Sequence, residues 1–332
     1  MTVERGVNLE QDLVRIQVEG HRKTGKSDFI LSIIEHLAER GYSPQSLMVV
    51  IFDWDLGGIL PLLKRGRIPL EYKESIIYCP LDDIMEAHNI WAEVKPKLEE
   101  HARKYGPETA WVCIENMGQM WESTRDSFSR IVYDEPLYKR LLNAKKAAKM
   151  SGKKKLPEFD QMQDYGVINP MHNDLRNSIL SGKFNVVVTT HLKDVYENRE
   201  IVGYVGDGQK NNEAFVDFIL RKKVVAGKFF ADLMGSRFTK ILFRDLENPT
   251  FTSFWEMIYK IMDKESKAVN LTISHYWMDI SPKTPKTPST PPADAIKEPE
   301  PDNHKTGKST PVKAKKPKEG KPKTGPGSEV EW

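Results

Sequence analysis

The eight residues Gly20-His21-Arg22-Lys23-Thr24-Gly25-Lys26-Ser27 constrain this chain more than any other stretch. They follow the alternating run Leu13-Val14-Arg15-Ile16-Gln17-Val18 and precede the apolar-periodic segment Phe29 to Leu37. A strand, a glycine-bounded loop and a helix in that order form a phosphate cradle: loop N–H groups point inward and the helix N-terminus adds unpaired donors. Gly20 and Gly25 let the backbone turn and approach closely. Lys26 is expected on the β- and γ-phosphates and Ser27 on Mg²⁺. His21, Arg22, Lys23, Thr24 and Asp28 complete the expected binding segment, with the first four read as loop fillers rather than catalysts.

Further strand signals fall at Leu47 to Phe52, Ser75 to Cys79, Ala110 to Ile114 and Asn185 to Thr190, with helical patterns at Phe29 to Glu39, Asp83 to Tyr105 and Met171 to Leu180. That alternation predicts an α/β fold with a mainly parallel central sheet and helices on both faces. After His191 the pattern changes. Glu200 to Val205 reads as a short strand and Asp207 to Asn212 as a turn. Phe215 to Lys223 and Lys228 to Met234 read as antiparallel strands added at the edge, and Phe251 to Met262 as an amphipathic helix. The stretch 131 to 165 is a basic insertion, carrying Lys145, Lys146, Lys149, Lys153, Lys154 and Lys155, with Lys139 to Met150 potentially helical. A solvated insertion, a DNA-contacting loop and an intersubunit contact all fit it.

Hydrophobic residues make up 39% of the chain, and the shortfall has an address. Residues 281 to 332 hold 11 prolines, 11 lysines and almost no large apolar side chains, too little to offset the entropy of ordering. This predicts residues 1–280 as the folded domain and 281–332 as a disordered tail. The tail's 11 lysines stand against 7 carboxylates, a charge of +4, so the chain's +3 leaves −1 on the rest. Such a tail either attracts polyanions such as DNA or serves as a solvated linker. Cys79 and Cys113 lie far apart in strand-like runs, which suits buried thiols in a reducing compartment. No apolar run is long enough to cross a membrane, and MTVERGVNLEQ does not read as a signal peptide. A cytoplasmic protein is expected, in the host cytoplasm if the source is viral.

Three strand ends carry candidate chemistry. Trp111-Val112-Cys113-Ile114-Glu115 is an apolar strand ending in a carboxylate that can hold the Mg²⁺ shell, with Asn116 beside it; an ordinary surface glutamate is the alternative. Phe52-Asp53-Trp54-Asp55 offers two carboxylates in the crevice where ligands bind in open α/β sheets. Asp55 is favoured as the catalytic base, and Asp53 as a second group at the metal or water, unless one merely caps the turn. Val188-Thr189-Thr190-His191 ends in candidates for sensing the γ-phosphate, Thr190 and His191.

Together, GHRKTGKS at 20–27, VVIFDWD at 49–55, VCIEN at 112–116, DYGVINPMHNDLRNSIL at 164–180, VVVTTHLKD at 186–194, FVDFILRKK at 215–223 and GSRFTK at 235–240 resemble the RecA-like P-loop ATPases. They look closest to the phage and prophage branch related to single-strand-annealing ATPases. The resemblance covers roughly Leu13 to Phe243. It implies ATP and Mg²⁺ as cofactors and a homo-oligomeric ring or filament acting on DNA, with single-stranded DNA preferred through the resemblance alone, beside a single-strand-binding protein or another viral partner. It places Glu115 at the second acidic position, where Asp is common, and Asp55 where a catalytic Glu is common. It also implies a cation supplied in trans, for which Arg237 and Lys240 are candidates. A genome-packaging motor and a nucleotide-controlled scaffold without DNA activity are the competing functions. No LSGGQ segment or arginine-rich lid points to a transporter ATPase or a kinase.

Overall fold

The computed structural model describes residues 13–153, 157–197, 200–209, 212–236 and 243–269. The Pro/Lys-rich tail, Arg237, Lys240, Lys154 and Lys155 lie outside these residues.

Six strands run parallel. In space the order is β3 (Ile76–Pro80), β2 (Met48–Asp53), β4 (Ala110–Glu115), β5 (Asn185–Glu197), β1 (Arg15–Gly20) and β7 (Phe218–Val225). Then β8 (Lys228–Ser236) and the short β9 (Leu246–Glu247) follow in antiparallel sense. The strand that feeds the glycine loop is not adjacent to the one ending in Glu115, because β5 lies between them. The result is a mainly parallel central sheet with helices on both faces.

Alternation along each strand divides the interior into two cores. Ile16, Val18, Val49, Ile51, Trp111, Cys113 and Val187 face one side, under α1 (Lys26–Glu39) and α7 (Phe251–Val269). Val50, Phe52, Val112, Ile114, Val186 and Val188 face the other, under α3 (Ile84–Tyr105) and α6 (Tyr165–Leu180). Strands buried on both faces are the reason these runs are almost continuously apolar. Between them, α2 (Ile59–Lys64) follows β2, and α4 (Met117–Tyr133) follows β4.

Three expectations change. First, β7 is not an edge addition. It pairs in parallel with β1, from Ile16 opposite Phe218 to Gly20 opposite Lys222, and is antiparallel only to β8. Alternation cannot reveal strand direction; the connection decides it. The chain after residue 206 returns to the base of the sheet, where the Arg15 N–H donates to Asp217 Oδ2 at 2.8 Å and the Asp217 N–H to Arg15 O at 2.7 Å. Second, β5 continues beyond Thr190 to Glu197 and forms an antiparallel ribbon with β6 (Glu200–Gly206), both exposed past the sheet. Third, the basic insertion is anchored. It forms α5 (Leu137–Met150), and Leu137 and Phe159 bury with Phe128 and Ile168 in a small core of their own. The Arg140 guanidinium donates to Glu158 O at 2.8 Å, holding the return segment. No helix among the described residues is long and apolar enough to cross a membrane.

Candidate active site

The loop after β1 closes as its composition requires. Gly25 caps α1 at φ 81°, a left-handed conformation that glycine adopts without strain. A Cβ on Gly20 would sit 2.5 Å from Lys222 O and 2.6 Å from Thr24 Oγ1, so only glycine lets β7 run this close. The Thr24 hydroxyl donates to His21 O at 2.9 Å and tightens the turn.

Lys26 is buried at the mouth of the loop. Its ammonium donates to Gly20 O (3.0 Å) and His21 O (2.9 Å), and reaches His191 Nδ1 at 3.0 Å. An ammonium only donates, so Nδ1 is the acceptor and the imidazole proton resides on Nε2. That nitrogen faces Asp55 Oδ2 at 3.7 Å, longer than a hydrogen bond. Burial lowers the Lys26 pKa, while the Glu115 and Asp55 carboxylates pull it back up. The His191 imidazole holds Asp55 below the usual carboxylate range against its partial burial, helped by Lys26 and Arg22.

Glu115 is almost wholly buried at the end of β4. The Ser27 hydroxyl donates to its Oε1 at 2.9 Å, whereas Oε2 has no partner. Burial pushes its pKa up to about 7; the Ser27 hydrogen bond is the largest influence drawing it back. Thr189 also lies close enough to draw it down, without the geometry of a hydrogen bond, and its own hydroxyl is buried and unpartnered. A charged carboxylate with an orphaned oxygen, beside a serine hydroxyl, is chemically suited to a hard divalent cation. Such ions take few protein ligands and complete their shell with phosphate and water. Gly58 closes the far side: a Cβ there would lie 2.6 Å from Ser27 Oγ and 3.3 Å from Glu115 Oε1.

The other expected residues divide. Asp53 is fully buried and its carboxylate is already used. Oδ1 accepts from the N–H groups of Asp55 (3.0 Å) and Leu56 (3.1 Å), and Oδ2 from the Tyr78 hydroxyl (2.8 Å). It shapes the turn that presents Asp55, which favours the capping reading over the metal one. The Asp28 carboxylate turns away to Arg67, 2.5 Å from its Nε, so a phosphate would meet the backbone of that turn rather than the side chain. His21 packs edge-on against Tyr204 of the β5–β6 ribbon, with ring centroids 5.0 Å apart. Thr190 faces away from the loop and donates to Asp207 O at 2.7 Å, leaving His191 as the side chain at the site. Asn116 caps α4, accepting from the Gly118 N–H at 2.9 Å.

Two residues at the site escaped sequence reasoning. Thr189 shares the loop-facing side of β5 with His191, two positions on, and period-2 alternation was enough to find it. Lys222 lies buried against the loop, donating to Gly25 O, and only the parallel pairing of β7 with β1 brings it there.

No protein-family model matches the chain, and no curated protein matches it. Among solved structures it is similar to the crystal structure of the RadB recombinase, at 18% identity and a TM-score of 0.35, over 70% of this chain and 86% of that one.

Proposed function

We propose that this chain is a Mg²⁺-dependent ATPase of the RecA-like kind that acts on DNA. The observation that carries the reading is the convergence on one glycine-bounded loop of Lys26 and Ser27 from the start of α1, Glu115 from the end of β4 and His191 from β5. Lys26 would exchange its loop carbonyls for phosphate oxygens. Ser27 and Glu115 would hold Mg²⁺, which supplies charge neutralisation on the β- and γ-phosphates when bound. His191, its proton on Nε2 and its ring against Lys26, would register the γ-phosphate. Asp55, kept ionised and weakly basic, suits orienting the attacking water more than removing its proton. Phosphoryl transfer depends largely on such positioning, so turnover by one subunit should be slow.

Action on DNA in viral or mobile-element recombination, or in single-strand annealing, rests on the motif resemblance and on exposed lysines. Helix α5 presents Lys139, Lys145, Lys146 and Lys149 to solvent and contains no acidic residue. A ring or filament with Arg237 or Lys240 acting in trans belongs to the same reading. The depressed Asp55 pKa keeps one alternative in view, a scaffold that binds ATP without hydrolysing it.

The test is ATP hydrolysis by the wild type and Lys26→Ala, with and without single-stranded DNA, with oligomeric state recorded. DNA-stimulated turnover lost in Lys26→Ala is expected. ATP-dependent assembly without turnover or DNA affinity would select the scaffold, and a complex with a capsid portal would select a packaging motor.

A further inference from the structure

A lysine is rarely buried without a carboxylate beside it. Lys222 is 3% exposed, and its ammonium donates to two backbone carbonyls, Gly25 O at 2.7 Å and Pro249 O at 3.1 Å. The ammonium also lies 5.5 Å from the centroid of the Phe29 ring. Asp28 is the carboxylate whose charge it feels, and that group is engaged by Arg67. Lys26 and Arg67 are the other charges facing it, and both repel it. A buried cation held this way against two like charges is a net burden on the folded chain unless the site uses its charge.

Its position indicates the use. Gly25 is the last loop residue before α1, and its carbonyl also accepts the Phe29 N–H at 3.1 Å, the first hydrogen bond of that helix. Pro249 lies just before α7. The Lys222 ammonium therefore ties together β7, the loop–helix junction and the start of α7. Holding the Gly25 carbonyl outward fixes the direction of the N–H groups on the opposite side, toward the loop interior. Its charge lies behind a loop built to receive anions.

We propose that Lys222 is a positioning residue of the phosphate site: its charged amine clamps the Gly25 carbonyl so that the loop is preorganised for an anion. The clamp itself is a property of the free protein. Its effect on ATP rests on the nucleotide reading above.

Two measurements separate these layers. Amide hydrogen exchange of the free protein should show the first turn of α1 exchanging at least tenfold faster in Lys222→Met than in the wild type, while β2 and β4 are unchanged. Isothermal titration with Mg·ATP should show at least tenfold weaker binding for Lys222→Met at pH 7. Burial lowers the lysine's pKa to about 8, so wild-type affinity should fall as pH rises through that value. In Lys222→Met this fall should disappear, and in Lys222→Arg, which stays charged, affinity should persist to higher pH. Lys26 is the other lysine at the loop whose pKa burial lowers, and a fall that survives in both variants would assign it to Lys26 and overturn the charge role. Unchanged exchange in Lys222→Met would overturn the clamp. Faster exchange with no ATP binding even by the wild type would leave the clamp standing and remove the nucleotide reading.

Discussion

Replacing Glu115 by Gln should make the free protein more stable at alkaline pH and less able to bind metal. Burial raises the carboxyl from 4.5 to about 7, so the folded state resists ionisation that the unfolded chain permits. The stability contributed by the protonated form is complete below pH 4.5 and is lost as pH rises to about 7. At 1.36 kcal/mol per tenfold change in proton affinity, the penalty above pH 7 is roughly 3 kcal/mol. Gln keeps the shape and an oxygen for the Ser27 hydroxyl but carries no charge. The gain should therefore be about 1–3 kcal/mol at pH 8, after allowance for a weaker hydrogen bond to a neutral acceptor. For a domain of this size that is a Tm higher by about 2–10 °C. Melting curves of both proteins at pH 5, 6, 7 and 8 supply the assay. The buried histidines His36 and His172 also lose stability in acid, because burial lowers their pKa values to about 4 and about 3; they do so equally in both proteins and cancel. The Tm difference should be small at pH 5 and open toward pH 8, while Mg²⁺-dependent ATP affinity drops at least tenfold. A difference that is flat with pH, or a variant less stable at pH 8, would refute the claim that Glu115 carries a strained charge awaiting a cation.

Gly58→Ala should weaken Mg·ATP binding about tenfold without large loss of fold, because the new methyl displaces the Ser27 hydroxyl from Glu115 while φ −87° suits alanine. Titration calorimetry at fixed Mg²⁺ checks it, and wild-type affinity would show that the loop does not press on the site. Asp55→Asn should leave ATP affinity within a fewfold and slow turnover by roughly 10²-fold or more, as loss of a water-orienting group does. Equal slowing of binding and turnover would instead make Asp55 a ligand-binding residue.

How far the site can be read from the sequence depends on the range of the interactions that build it. The loop Gly20 to Ser27 is local: strand, turn and helix follow one another, and Gly25 sits at φ 81°, a conformation open to glycine without strain. The alternation of Val49 to Phe52 and of Trp111 to Ile114 fixes which side chains face each core, and the carboxylate closing β4 lies at the loop's edge of the sheet. In the sequence, Asp53, an aspartate closing a strand beside the glycine-bounded loop, reads equally as a ligand or a turn cap. Its three hydrogen-bond donors, one of them Tyr78 from the neighbouring strand β3, favour the turn cap.

The amino-acid order by itself determined the glycine-bounded loop, the parallel core and the carboxylates that close β2 and β4, because each depends on contacts between near neighbours or on a repeat of two. Tertiary structure alone decided the direction of β7, the continuation of β5 into an exposed ribbon, the contact between Lys26 and His191, and the burial of Lys222 beneath Gly25. The last two contacts join residues 165 and 197 positions apart. No local periodicity encodes such pairs; they follow from which strands the sheet sets side by side.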